Sequence, residues 1–133
     1  MNMQEIRVPT PLPYEFHDGI LLGVAVGPRR EVTLTASLDP VWQPSGTAEC
    51  ALLRFGNIDN FAEVQAFFAR ANPHPRGYFG RIDRLDYAQD EPSRANRLSL
   101  QLELEWHGTI IIRCRNLSIQ GEEAANTGLS PGS

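Results

Sequence analysis

Few side chains in this chain could do chemistry, and they are scattered: His17 beside Asp18, His74, His107, Cys50 and Cys114. Imidazoles and a carboxylate are ligands that zinc accepts, but zinc sites draw on short, recurrent spacings, and these residues have none. No metal site is expected. Asp18 reads instead as a residue that turns the chain into its first strand, with His17 hydrogen-bonded locally. Two carboxylate pairs, Asp83 with Asp86 and Glu103 with Glu105, could in principle divide acid and base roles. Strand period places Glu103 and Glu105 on one outward face together with Arg113, a neighbour that holds a carboxylate ionised rather than tuning it upward. Both pairs therefore read as solvated sheet surface. Ser37, Ser45, Ser93, Ser99 and Ser118 lack a Gly-x-Ser-x-Gly context, and the cysteines sit among alternating apolar residues. Phe55-Gly56-Asn57 holds a single glycine and makes no phosphate loop. The expectation is a protein that is not an enzyme and needs no cofactor.

The arginines are better suited to binding. Arg81, Arg113 and Arg115 project from strands, and with Glu103 and Glu105 they form the expected partner-binding face. Arg84 falls on the opposite face from Arg81 only if that strand stays regular through Leu85. All twelve basic residues are arginine, the usage of a GC-rich bacterial genome, and sixteen acids leave a net charge of −4. Mild acidity argues against nucleic acid as a partner and suits a basic protein. No segment reaches the ~18 apolar residues of a membrane span, and no signal-like leader opens the chain, so a cytoplasmic protein is expected.

The elements that must position these groups are mostly strands. Leu98 to Arg115 reads as a hairpin in which Leu98, Leu100, Leu102, Leu104 and Trp106 alternate with polar residues. With His107-Gly108-Thr109 as its turn, Trp106 faces Ile110, Leu104 faces Ile112, Leu102 faces Cys114, Glu103 faces Arg113 and Gln101 faces Arg115. A second hairpin alternates through Ile20, Leu22, Val24 and Val26, then Val32, Leu34, Ala36 and Leu38, with Val26 opposite Val32 and Val24 opposite Leu34. Residues 47–56 and Tyr78 to Tyr87 give two more strands. An amphipathic helix is expected at about 60–70, capped by Asn60 or Asp59 with Glu63 completing a capping box. Pro44-Ser45-Gly46 marks a loop, and Asn72-Pro73-His74-Pro75 ends the helix. The Pro-spaced residues 1–13 read as an extended lead-in. The sum is a mainly β (α+β) fold: an antiparallel sheet or two-layer β-sandwich of about six strands with one helix. One domain over 1–120 is followed by a flexible tail, 121–133.

Tyr14-Glu15-Phe16-His17-Asp18-Gly19-Ile20, followed by Leu22-Gly23-Val24, resembles the opening of small bacterial β-rich domains, including immunity proteins of polymorphic-toxin systems. The later order, a strand ending at Phe55-Gly56, a short helix and Ile110 to Cys114, follows the same plan. The resemblance implies a β-rich fold with a helix, no cofactor, and function by binding a protein such as a toxin domain. A self-associating module, for instance a homodimer, is the alternative. A small-ligand binder using His17 and Asp18 is a third.

Overall fold

The computed structural model describes residues 2–43, 49–71 and 79–122. Within them eight strands form one antiparallel sheet: β1 (Asn2–Ile6), β2 (Ile20–Val26), β3 (Val32–Ser37), β4 (Cys50–Gly56), β5 (Gly80–Tyr87), β6 (Leu98–Leu104), β7 (Gly108–Cys114) and β8 (Asn116–Glu122). Their spatial order is β1-β8-β4-β3-β2-β5-β6-β7, with the helix α1 (Phe61–Arg70) following β4. The mainly β, antiparallel class is as expected, but the strands number eight rather than about six. The lead-in supplies β1, and the segment after Arg115 supplies β8. Both are largely polar, burying only Ile6 in β1 and Leu117 and Ile119 in β8, too few apolar residues to register as alternation. β8 lies between β1 and β4, and its Glu122 pairs with Cys50, so Gly121 and Glu122 belong to the sheet and not to a tail. The Pro44-Ser45-Gly46 loop, the run Asn72-Pro73-His74-Pro75, Tyr78 and residues 123–133 lie outside the described residues.

The sheet folds over where β2 meets β5. Their pairing is limited to Ile20 with Arg81 and Leu21 with Gly80. A bulge lies on each side of this corner, one between Leu21 and Gly23 and one between Ile82 and Arg84. An extra residue in one strand bends it and sharpens its twist. It also changes which way the flanking side chains point. Leu22, expected inward from the alternation, is 38% exposed, and Leu21 takes the core position opposite Ala36. In β5 the extra residue is Asp83, which puts Arg84 on the outward face with Arg81.

At the far end β7 passes through Arg115 alone into β8, and the Arg115 amide donates to Gly56 O at 3.1 Å. The last strand in the order is thus tied to the strands near the first, and the sheet curls around one core. Leu34, Leu53, Phe55, Leu100, Leu102 and Ile112 are fully buried there. Helix α1 adds Val64, Phe67 and Phe68 to the same core, with Phe68 edge-on to Phe79 at 6.4 Å.

The expected capping box does not form. Asn60 makes no side-chain cap bond; its side-chain Nδ2 donates to Glu63 Oε1 at 3.0 Å and to Ile111 O at 2.7 Å, while its Oδ1 accepts from the Arg113 amide at 2.9 Å. The Asn60 side chain acts as a strand partner for the outer edge of β7. Asp59 extends the pairing, its amide donating to Arg113 O.

The β2–β3 hairpin has the expected register, Val26 with Val32 and Val24 with Leu34. The β6–β7 hairpin does not. Leu102 pairs with Ile110, Leu100 with Ile112, Leu98 with Cys114 and Glu103 with Thr109, while Arg113 lies opposite Ser99. Alternation excludes a one-residue slip, because that would turn leucines outward, but an even shift keeps apolar opposite apolar. The turn decides the register. Leu104 O accepts the His107 amide at 3.1 Å, and positive φ at Trp106 (75°) and Gly108 (98°) reverses the chain earlier than expected. Trp106, expected in the core face, therefore stands at the tip, 88% exposed. No helix among the described residues is long and apolar enough to cross a membrane.

Candidate functional site: a groove at the β2–β5 corner

The segment Phe16-His17-Asp18-Gly19 builds one wall of a groove at the fold of the sheet. Phe16 is fully buried and anchors the segment. Asp18 takes φ 67°, a left-handed conformation that aspartate tolerates better than most residues. Gly19 is required because a Cβ there would meet Ser37 O at 2.4 Å. The turn then docks on β5: the Asp18 amide donates to Ile82 O at 2.9 Å, and the Ile82 amide donates to Gly19 O at 2.7 Å. His17 follows, its Nδ1 lying 2.9 Å from Asp83 O, the carbonyl of the bulged residue. A carbonyl only accepts, so Nδ1 carries the proton.

Trp42 forms the second wall. It ends a 3-10 turn, Pro40–Trp42, which Asp39 caps by accepting from the Val41 amide at 3.0 Å. The indole Nε1 donates to Asp18 Oδ2 at 3.1 Å, and the His17 ring meets the indole edge to face at 5.2 Å. Behind them Gln43 is buried and serves as a local strand partner for Glu15: its Oε1 accepts the Glu15 amide at 3.1 Å, and its Nε2 donates to Glu15 O at 2.6 Å. The same Nε2 also donates to Asp39 O at 3.1 Å. The outward face of β5 and β6 supplies the floor, with Asp83, Arg84, Asp86 and Glu103. Arg84 donates to Tyr87 O at 2.9 Å, while its Nε is buried with no partner among the described residues.

His17 Nε2 lies 3.5 Å from Asp18 Oδ2. With a carbonyl at one ring nitrogen and a carboxylate near the other, the imidazolium is favoured. The bond to Asp83 O raises the His17 pKa first, and Asp18 and Glu15 add to it. The groove presents the carboxylates of Glu15, Asp83, Asp86 and Glu103 beside an indole, a surface that attracts cations.

The expected site residues divide between the two ends of the β5–β6–β7 arm. Arg81 pairs with Asp83 at 3.1 Å and Glu105 at 3.5 Å, close to the groove. Glu103 is in the groove, opposite Arg84, and accepts from Gln101 at 2.7 Å. Arg113 lies opposite Ser99, four residues along β6 from Glu103, or about 13 Å at about 3.3 Å per residue. There it grips Glu91 through Nε at 2.6 Å and an Nη at 2.9 Å, with Glu63 at 3.8 Å. Glu103 does not face Arg113, and the three arginines do not form one surface: Arg81 and Arg113 are tied up in internal pairs, and Arg115 sits exposed at the β7–β8 corner. Sequence reasoning passed over Glu15, Trp42 and Gln43. A tryptophan outside any alternation, next to two prolines, was the signal available for them. Cys50 and Cys114 are free thiols, and burial raises both, Cys114 to about 12, so neither is a ready nucleophile. His107 stands in the β6–β7 turn, and His74 lies outside the described residues. Compared with protein-family models, with curated proteins and with solved structures, the chain matches none.

Proposed function

We propose that this chain is a protein-binding module that seats a basic partner in the groove beside Trp42. Trp42 carries the reading: its side chain is nearly half exposed at 46%, yet it is fixed by a hydrogen bond to Asp18 and by ring contact with His17. An exposed aromatic held in place before binding loses little freedom on contact, the property of an interface anchor. Among the described residues, Glu15, Asp83, Asp86 and Glu103 line the groove with it against Arg84 and His17, and although Asp83 is already paired with Arg81, the acids remain in excess, the same sign as the net charge of −4. Such a field speeds the approach of a basic partner. Together with the Phe16-His17-Asp18 opening, this supports reading the chain as an immunity protein whose partner is the basic domain of a bacterial toxin.

Calorimetry with an arginine-rich peptide and a glutamate-rich peptide of equal length tests the charge preference. Saturable binding of the basic peptide alone is expected, weakened more than tenfold, or about 1.4 kcal/mol, by Asp86→Asn with Glu103→Gln. Equal binding of both peptides would contradict the reading.

One observation favours self-association as a second reading. Asn60 and Asp59 cover the outer edge of β7, whereas β1 ends the strand order with no strand on its outer side among the described residues. An open edge is a template for pairing with another copy. Light scattering over a concentration series separates monomer from dimer.

A further inference from the structure

We infer that the cavity between the Arg94–Arg97 turn and Arg113 is an oxyanion site, taking a ligand that carries a phosphate or carboxylate group. The cavity, about 400 Å³, is separate from the Trp42 groove and opens at the start of β6. Arg94 and Arg97 are reciprocal partners across a two-residue turn: the Arg94 amide donates to Arg97 O at 3.1 Å, and the Arg97 amide donates to Arg94 O at 2.9 Å. Asn96 supplies the left-handed φ of 59° that the turn needs, and its amide donates to Arg7 O at 2.7 Å, which pins the turn in place. Residues paired in this way send their side chains to the same face. Two exposed arginines are therefore presented on one face, and both residues line the cavity.

Like charges directly opposed destabilise a strand pair unless an opposite charge offsets them. The nearby carboxylates do not supply it fully. Glu91 already takes a two-pronged bond from Arg113 and a bond from Ser99 Oγ at 2.5 Å, which leaves Asp59 as the other acid lining the cavity. Among the described residues neither Arg94 nor Arg97 forms an ion pair. The acids gather on Arg113, with Glu91 in a two-pronged bond and Glu63 at 3.8 Å, so the cavity's Arg94 and Arg97 are the cations left to meet an anion. Planar guanidinium forks match the oxygens of a phosphate or carboxylate.

The test is thermal unfolding and amide NMR of the whole chain in sodium phosphate or sodium acetate, against sodium chloride at equal ionic strength. Phosphate or acetate should raise the melting temperature saturably and shift the Arg94 to Ser99 amides. Arg94→Gln with Arg97→Gln should weaken that binding at least tenfold. In chloride, Arg97→Gln alone should melt at or above the wild-type temperature, because it removes a like-charge pair. A response to phosphate only identifies a phosphoryl ligand, and an equal response to acetate identifies a carboxylate. No saturable response to either anion, or an undiminished one in the double variant, would overturn the site.

Discussion

Asn60 and Arg113 are joined side chain to backbone: the Asn60 Oδ1 accepts the Arg113 amide at 2.9 Å, while its Nδ2 reaches Ile111 O at 2.7 Å. One asparagine thus fastens the head of α1 to the outer edge of β7. Asn60→Ala should destabilise the fold by about 1–3 kcal/mol, because it orphans backbone groups on a half-buried edge. The uncovered edge should also increase self-association. Denaturant midpoints and sedimentation read the two effects separately.

Asp18 holds both the turn and the indole. Asp18→Ala should cost about 1–2 kcal/mol, since alanine tolerates a φ of 67° poorly and gives Trp42 Nε1 no acceptor. Asp18→Asn should keep most of the stability, as it retains the conformation and the oxygen. Chemical denaturation ranks the two, and a reversed order would show that the turn does not depend on this side chain.

His17 should titrate above 6.5 in NMR, held up first by its bond to Asp83 O and then by Asp18 and Glu15. A raised folded value means that the imidazolium's contribution to stability is complete below pH 6.5 and fades as pH rises through the folded value. Asp18→Asn should lower the midpoint without abolishing the shift. The bond to the Asp83 carbonyl is backbone and survives the change.

Glu91 behaves in the opposite sense. Its bonds from Arg113 and then Ser99 hold its pKa below the ordinary 4.5, so its contribution is present above that pH and is lost as pH falls through the folded value. Glu91→Gln should cost about 1 kcal/mol at neutral pH, the scale of a partly exposed ion pair, and should flatten the acid limb of the stability curve. Unfolding midpoints between pH 3 and 7 test both statements.

Where burial sets a strict period, the residues were easy to read. Val24 to Val26 and Val32 to Leu34 carry their register in the side chains, and α1 shows itself in Val64, Phe67 and Phe68. The outward face shared by Glu103 and Arg113 was legible for the same reason. Their actual partners, Thr109 opposite Glu103 and Ser99 opposite Arg113, were not, because alternation is blind to even shifts and the reversal at Trp106 and Gly108 depends on backbone conformation. The bulges at Leu22 and Asp83 were hidden too, being settled only when β2 and β5 meet at the corner. That corner makes the groove. His17, Asp83, Asp86 and Glu103 were visible as separate candidates, but nothing local in the sequence brings them to Trp42.

The most direct test of the Trp42 groove is affinity capture from source-cell extract with three baits: wild type, Trp42→Ala with Glu103→Gln, and a control in which exposed Glu5 becomes Gln. The expected result is one basic polypeptide in stoichiometric yield on the wild type and the control, lost from the groove variant, with calorimetry on the purified pair giving the same ranking. An acidic partner, or a basic one held equally by all three baits, would contradict the groove as the docking surface.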